Sequence, residues 1–297
     1  MNKFFATLAF AASTIIFAAC SSNDTDDIIN DVIDNEPKTM SFLVGTPSSN
    51  SRAVVSGLND NATPTINWEE SDYIRVWGSG SETGYPYAFS SYTTSFHNYA
   101  AFTGTAFDAS KYFLMYPNQT DATFDGTSNI TATIPTIQTA TLNSFDPNAA
   151  ICMGATEGKE ESVTILHACA FLKITTVKDC RSITISAKNK NTDGTNWKVA
   201  GKVGIEPSSA GAKIVDFSEA ADAVKLTADG TANPSTTFPA GTYLIAIITS
   251  THFPGLDVKV DYADNTNADK STDQIFSFSA ATIYNLGTAT PTTTTNP

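Results

Sequence analysis

The stretch Val163–Val177 (VTILHACAFLKITTV) is the longest run of strand-favouring residues in the chain and the first guide to its fold. Branched aliphatic, threonine and aromatic residues fit the pleated surface of a sheet. Upstream of it, Ile130–Ile134 (ITATI) alternates apolar and polar residues strictly, a period typical of a half-buried strand. We find no stretch with a sustained helical period, and we therefore predict an all-β protein.

Further strand-like segments lie on both sides of this run, at a spacing of roughly ten residues with turn residues between them. Pro117 ends one of them, Tyr112–Tyr116, because proline has no N–H for a sheet ladder. Short, regularly spaced strands are typical of β-sandwiches and barrels. The other segments are Met40–Val44, one that begins at Arg52–Val55, Tyr73–Trp77, Ala100–Phe102, Ser182–Ala187, Lys198–Ile205, Lys213–Phe217, Val224–Thr227, Tyr243–Ser250, Leu256–Tyr262 and Gln274–Phe278.

The N-terminus has the pattern of a secretory signal. Lys3 precedes an almost unbroken apolar or small-residue run, and Cys20 follows Ala19 at the end of that run. The pattern resembles the lipobox of bacterial lipoproteins, with Phe17 where an aliphatic residue is usual. We therefore predict cleavage between Ala19 and Cys20, and lipidation of Cys20 that anchors the chain to a membrane without spanning it. The alternative is an ordinary signal with a cysteine there by chance.

The charge pattern divides the rest of the chain. A dense charged cluster, residues 157–161, lies between two apolar strands and marks either a domain junction or a hairpin tip. We favour the junction because it splits the body into halves of similar length. The predicted organisation is a signal peptide at 1–19, a lipidated acidic tether at 20–37, an N-terminal β-sandwich at 38–158, a C-terminal β-sandwich at 159–288 and a threonine-rich tail at 289–297.

Composition excludes some classes of function. The formal net charge of −13 argues against nucleic acid as a partner, since phosphates require a basic surface. A weakly charged, polar surface is common in secreted all-β proteins, and only 16% of the residues are charged. No run after the signal approaches the ~18 apolar residues of a membrane-spanning helix.

The cysteines do not form a metal motif. If Cys20 carries lipid, then Cys152, Cys169 and Cys180 remain, so at most one disulfide can form. Their spacing fits no zinc site. Cys152 and Cys169 lie in apolar strand-like runs, where cysteine behaves as a small hydrophobic residue. We expect buried thiols, with one disulfide as the alternative.

No set of residues points to catalysis, a cofactor or a metal, so we predict a protein that is not an enzyme. The acidic residues near Trp68 and in the charged cluster lie in turns, and the nucleophile-elbow and phosphate-loop motifs are absent. His167 lies among apolar residues, which favours a satisfied core or edge histidine. One oxygen-rich loop leaves calcium as an alternative to a solvated hairpin loop, although it lacks EF-hand spacing. Its residues are Asp261, Asp264, Asn265, Asn267 and Asp269.

An ordered set of short motifs resembles one family. The motifs are Ser51–Ala53, Trp68–Val76, Phe102–Gly104, Tyr112–Pro117, Ile134–Gln138, Cys152–Ala155, Leu166–Ile174, Pro239–Tyr243 and Ile283–Leu286. In this order, and with the lipoprotein signal, they resemble the fimbrillin-like lipoproteins of Bacteroidales, in the type V pilin superfamily. The acidic residues Asp24, Asp26 and Asp27 are also similar to the surface-export signal of Bacteroidetes lipoproteins.

The resemblance implies two transthyretin-like β-sandwich domains in a fimbrial subunit or accessory adhesin at the cell outer membrane. Such subunits assemble when a strand from another subunit replaces a first strand released by proteolysis. The first strand here would be Thr39–Gly45, with Met40, Phe42 and Val44 on one face and Leu43 on the other. Cleavage would follow Arg52 and leave Ala53 at the new N-terminus; alternatively, Arg52 simply begins the next strand.

Two features leave other roles open. The tail after Leu286 is short, polar and poor in side chains that could fill a groove, which favours an anchor, a tip or a non-polymerising lipoprotein over a stalk subunit. A second hypothesis is a surface lipoprotein that binds glycans or host ligands. Trp77, Tyr85, Tyr87 and Tyr92 lie in a glycine- and serine-rich region and could stack on sugars if their rings were exposed.

Overall fold

The protein is all-β, as the sequence predicts. This computed structural model describes residues 39–46, 64, 66–93, 98–158, 162–188, 197–217 and 219–291, and it places no helix among them. The strands are β1 (Thr39–Gly45), β2 (Tyr73–Gly78), β3 (Gly84–Tyr92), β4 (Tyr99–Thr105), β5 (Tyr112–Tyr116), β6 (Thr123–Phe124), β7 (Ile130–Ile134), β8 (Ile137–Thr139), β9 (Cys152–Ala155), β10 (Ser162–Thr164), β11 (Leu166–His167), β12 (Ala170–Thr176), β13 (Cys180–Ala187), β14 (Ala200–Ser208), β15 (Gly211–Asp216), β16 (Ala220–Ala221), β17 (Ala223–Thr227), β18 (Gly241–Ile247), β19 (Ser250–Tyr262), β20 (Asn267–Phe278) and β21 (Ile283–Ala289).

The described strands form four sheets. The largest has eight strands in the order β10-β1-β4-β3-β2-β5-β9-β11. A three-stranded sheet has the order β18-β12-β21, and a five-stranded sheet the order β20-β19-β13-β17-β8. A second five-stranded sheet consists of β15-β14-β7-β6 with β16 paired to β14.

The run Val163–Val177, expected as one long strand segment, is divided into β10, β11 and β12. Each piece has a different partner: β10 pairs with β1, β11 with β9, and β12 with β18 and β21. Between them, the Ile165 and Ala168 amides donate to the carbonyls of Gly45 and Ile151, each at 2.9 Å. The run therefore links two sheets instead of crossing one, because its hydrogen-bond partners change twice along its length.

Strand pairing links the two sides of the predicted boundary at 158/159. β7 pairs antiparallel with β14, and β8 pairs in parallel with β17. The chain from Pro37 onward groups as one compact unit. The domain boundary at 158/159 stays a prediction. Strands β6, β7 and β8, which precede it in the sequence, belong to sheets whose other strands follow it.

β3 is one of the strands that the sequence pattern did not predict, together with β6, β8, β16 and β21. β3 contains Pro86 and three serine or glycine residues, a composition that resembles a loop. It nevertheless pairs with β2 and β4 and brings the ring of Tyr87 into the core. β5 and β7, by contrast, have the bounds that alternation and Pro117 predicted.

Candidate functional site

The site predicted to exchange strands lies at β1, the second strand of the eight-stranded sheet. β1 pairs antiparallel with β4 over all of its 7 residues. On its other side, the short edge strand β10 pairs in parallel with Leu43–Gly45. In the part of the chain that the structure describes, Thr39–Phe42 is therefore paired in the sheet on one side alone.

The faces of β1 agree with the prediction. Phe42 and Val44 are fully buried, and Met40 is partly buried against the same core. Leu43, on the other face, is half-buried. The predicted bounds of the strand and its two faces are thus confirmed, and they follow from the two-residue period of side chains along a strand.

An aromatic pocket receives the inner face of β1. The Phe42 ring meets the rings of Tyr87 and Tyr112 edge to face, with centroids 5.5 and 5.1 Å apart. Beside them, Trp68 packs edge to face on Phe102, at 4.8 Å between centroids. Edge-to-face pairs add about 0.5–1.5 kcal/mol each to the free energy of burial. The pocket therefore selects an aromatic ring at the position of Phe42.

Hydrogen bonds from outside the ladder fix the end of β1. The buried indole N–H of Trp68 donates to the Val44 carbonyl at 3.1 Å. The Ile165 amide donates to the Gly45 carbonyl at 2.9 Å, and the Thr46 hydroxyl donates to the Ile66 carbonyl at 2.8 Å. These bonds hold the strand in one register, since a shift by one residue would break all three.

The sequence reasoning placed Trp68 at a strand entry but did not find its bond to β1. It also missed Tyr87 and Tyr112 as walls of the pocket. The available signal was the two-residue spacing of Tyr85, Tyr87 and Phe89, which indicates a strand with all three rings on one face.

An acidic turn precedes β2, as predicted. The Glu69 amide donates to the Asp72 carboxylate at 2.8 Å, and the Tyr116 hydroxyl donates to its other oxygen at 3.0 Å. Burial raises the pKa of Asp72, and these two bonds oppose the shift. Burial, and next the charge of Asp72, raise the pKa of Tyr116. The arrangement closes the turn beside the pocket; it presents no acid–base pair to solvent.

His167 is a buried, satisfied histidine, as expected. Its Nε2–H donates to the Pro64 carbonyl at 3.0 Å, which leaves Nδ1 as the acceptor for the Cys152 thiol at 3.0 Å. Burial lowers the pKa of His167 to about 4, so the ring is neutral near pH 7. Burial also raises the pKa of Cys152 well above its usual value. This pair is therefore structural, because neither a thiolate nor an imidazolium forms at neutral pH.

The three cysteines are free, buried thiols, which agrees with the expectation and not with its disulfide alternative. Burial raises the pKa of Cys169 to about 12 and that of Cys180 to about 11. Cysteines with such values are unreactive.

Two of the four predicted sugar-stacking rings are buried, and the other two are partly buried. Trp77 and Tyr87 are 0% exposed, so neither can stack on a ligand in this fold. Tyr87 lies on the face of β3 that pairs with Ile74, whereas Trp77 lies on the opposite face of β2 and packs on Phe124, with ring centroids 6.2 Å apart. Tyr85 is half-buried and packs on Phe107, with centroids 5.0 Å apart. For Trp77 and Tyr87 the stacking hypothesis is corrected: these rings build the core.

Tyr92, the fourth ring, is also partly buried. Its hydroxyl donates to the Trp68 carbonyl at 2.9 Å, and its ring meets that of Phe89 at 4.7 Å between centroids. Tyr92 therefore supports the segment that carries Trp68.

The oxygen-rich loop near β19 and β20 is a hydrogen-bonded hairpin loop. Asp264 pairs with Lys178 at 2.7 Å and also accepts from Thr266, and these interactions lower the pKa of Asp264. Asp261 accepts from Ser182 at 3.0 Å and pairs with Lys259. Asn265 accepts from Arg181, and Asn267 lies within hydrogen-bond distance of Asp269. No group of three or more histidine, cysteine or acidic residues among the described residues could hold a metal ion.

Four predicted residues, Ala19, Cys20, Arg52 and Ala53, lie outside the described residues. Signal cleavage, lipidation and proteolysis at these positions stay predictions. Within the described part of the chain, no helix has the length and hydrophobicity needed to cross a membrane.

Comparison with known proteins finds similarity in solved structures alone. No family model matches the sequence, and no curated protein matches it. A structure described as a candidate cell adhesion protein of Bacteroides uniformis is 14% identical, with a TM-score of 0.49 over 84% of this chain and 93% of that one. A similarly described protein of Bacteroides ovatus is 12% identical, with a TM-score of 0.47 over 86% of this chain and 96% of that one.

The chain is also similar to a tip fimbrial protein of Porphyromonas gingivalis with a C-terminal truncation. That structure is 11% identical, with a TM-score of 0.30 over 79% of this chain and 81% of that one. These structures are described as adhesion or fimbrial proteins, the class of protein that the sequence motifs resemble.

Proposed function

We propose that this chain is a cell-surface, pilin-like subunit or accessory adhesin in which a strand from another subunit takes the place of β1. The observation that carries the proposal is the position of β1, a seven-residue strand whose inner face fills an aromatic pocket. Among the described residues, it is paired on both sides only at Leu43–Gly45. The proposal assigns no catalytic step and no cofactor to the chain.

Removal of β1 would leave a cleft that requires a new strand. Full burial of Phe42 and Val44 stabilises the fold by about 3–6 kcal/mol together, at about 1.5–3 kcal/mol for each side chain. Without β1, the backbone of β4 and the rings of Tyr87 and Tyr112 would face water. An open edge beside an apolar groove is a template for strand addition, in which the backbone gives affinity and alternate side chains give specificity.

The sequence after β1 supplies a route for its release. Residues 47–51 are polar and lead to Arg52, a residue that a trypsin-like protease recognises. Cleavage there would separate the lipid-bearing segment and β1 from the rest of the chain. A diacyl or triacyl group on Cys20 would hold the precursor at the outer membrane until that cut.

The alternative, a non-polymerising lipoprotein that binds glycans or host ligands, loses its two main candidates because Trp77 and Tyr87 are buried. We therefore place strand exchange first.

The test is the N-terminal sequence and intact mass of the protein recovered from surface polymers. We expect a start at Ala53 without lipid. An Arg52→Gln variant should keep residues 20–52 with the lipid and should not polymerise. Arg181→Gln is the matched control, since Arg181 is an exposed arginine bonded to the hairpin loop, far from β1 in the sequence. Polymers built from uncut, lipidated chains would contradict the proposal.

A further inference from the structure

On the outer face of β1, Gly45 lies directly beneath the ring of Tyr99. Gly45 lies opposite Tyr99 in the β1–β4 ladder. A Cβ atom added to Gly45 would lie 2.4 Å from Cε1, 2.9 Å from Cζ and 3.0 Å from Cδ1 of the Tyr99 ring. Carbon atoms pack at about 3.5–4.0 Å, so any larger residue would displace the whole edge of the ring.

Hydrogen bonds on both sides of the strand hold the peptide that joins Gly45 to Thr46. Its carbonyl accepts from the Ile165 amide at 2.9 Å, and the next amide, of Thr46, donates to the Asn98 carbonyl at 2.9 Å. Gly45 is therefore bonded on both sides of the strand. Relief by a shift of the strand would break these bonds, so the ring of Tyr99 would have to move instead.

The neighbouring positions of β1 are constrained on the inner face. The Val44 carbonyl accepts from the Trp68 indole at 3.1 Å, while the Val44 side chain is fully buried. Phe42 fits edge to face between Tyr87 and Tyr112. An occupant of this site therefore meets three requirements at fixed spacing: a ring, an apolar side chain two positions later, and glycine immediately after it.

We propose that Tyr99 acts as a selectivity residue that restricts the incoming strand to the pattern aromatic–any–aliphatic–glycine, antiparallel to β4. The inference rests on the proposed strand exchange and names the chemistry of the partner. The partner is a segment of another chain with a ring and an aliphatic residue on one face, no charge on that face, and glycine beneath the Tyr99 ring.

The experiment uses the chain that follows Cys20, with residues 47–51 replaced by the recognition site of a specific protease. After folding and cutting, the released strand is removed in urea and the remainder is refolded with labelled synthetic peptides of residues 39–46. Fluorescence anisotropy gives the affinity. We expect the native peptide to bind and the Gly45→Val peptide to bind roughly 10- to 100-fold more weakly.

Two controls isolate the ring of Tyr99. A Ser41→Val peptide adds a branched residue at an exposed position of the same strand, and it should bind within about threefold of the native peptide. A Tyr99→Ala acceptor removes the ring, which is 37% exposed, and should bind the Gly45→Val peptide nearly as well as the native one.

The outcomes separate the two proposals. Binding of the native and Gly45→Val peptides with equal affinity would overturn the selectivity of Tyr99 while strand exchange stands. Failure of the Tyr99→Ala acceptor to restore binding would also overturn it. If no peptide binds, the native one included, strand exchange itself is refuted and the pattern with it.

Discussion

Replacing Phe42 by alanine tests how much of the fold depends on the first strand. The ring is fully buried, with its neighbours Tyr87 and Tyr112 in edge-to-face contact. Truncation of a buried phenylalanine costs about 3–5 kcal/mol, because it removes apolar contact and leaves a cavity. Since two ring pairs are lost as well, we expect about 4 kcal/mol, a large part of the 5–15 kcal/mol typical of folded proteins.

The assay is urea unfolding followed by tryptophan fluorescence, supported by thermal melting, in which a loss of about 4 kcal/mol lowers Tm by roughly 8–16 °C. Phe42→Leu keeps most of the apolar volume and should cost only about 1–1.5 kcal/mol. Ser41→Ala, one position away on the exposed face, should change the free energy of unfolding by less than about 0.5 kcal/mol. A loss below about 1.5 kcal/mol for Phe42→Ala would refute the reasoning, since the ring would then not be packed in a closed pocket.

Four other results follow from His167, the buried thiols and the turn at Asp125. His167→Gln should lower the free energy of unfolding by roughly 2 kcal/mol at pH 7, measured in urea. The reason is that the Cys152 thiol and the Pro64 carbonyl would each lose the buried hydrogen bond that they make with His167. Burial lowers the pKa of His167 to about 4, so the unfolded chain binds a proton below pH 6.5 that the folded chain does not. Stability should therefore fall by up to about 3 kcal/mol as pH drops from about 6.5 to 4, and His167→Gln should flatten that decline; an unchanged slope would contradict the assignment. The three buried thiols should resist a thiol reagent in the native chain and react in denaturant, and fast native labelling would show that they are accessible. Asp125→Ala should cost about 1 kcal/mol in thermal unfolding, because three backbone amides donate to its carboxylate, and an unchanged Tm would argue against that turn.

Local pattern was enough to predict some strands. The pattern predicted Tyr112–Tyr116 and Ile130–Ile134 with the observed bounds. For the first strand it predicted Met40–Val44, and the family resemblance supplied the observed bounds Thr39–Gly45 and the two faces. In each case the two-residue period lies within one short segment, so neighbouring residues carry the whole signal. The buried state of His167 was likewise predicted from its apolar neighbours.

Local pattern could not predict which residues, far apart in the sequence, become hydrogen-bond or strand-pairing partners. His167 bonds to Pro64, which is 103 residues away, and the Trp68 indole reaches the Val44 carbonyl on β1. The glycine- and serine-rich sequence around the rings near Gly84 left both a sugar-stacking loop and a structural role open. Pairing with β2 and β4 makes this segment a strand and buries Tyr87.

Local sequence patterns are sufficient to show that this protein is all-β and that the first strand has one apolar face. They are sufficient because alternation and strand propensity act over a few adjacent residues. Only the tertiary structure decided that Val163–Val177 divides among three partners, that Trp77 and Tyr87 belong to the core, and that Gly45 lies beneath Tyr99. The physical reason is that sheet pairing joins residues far apart in the chain, so the partner of a strand depends on the whole fold.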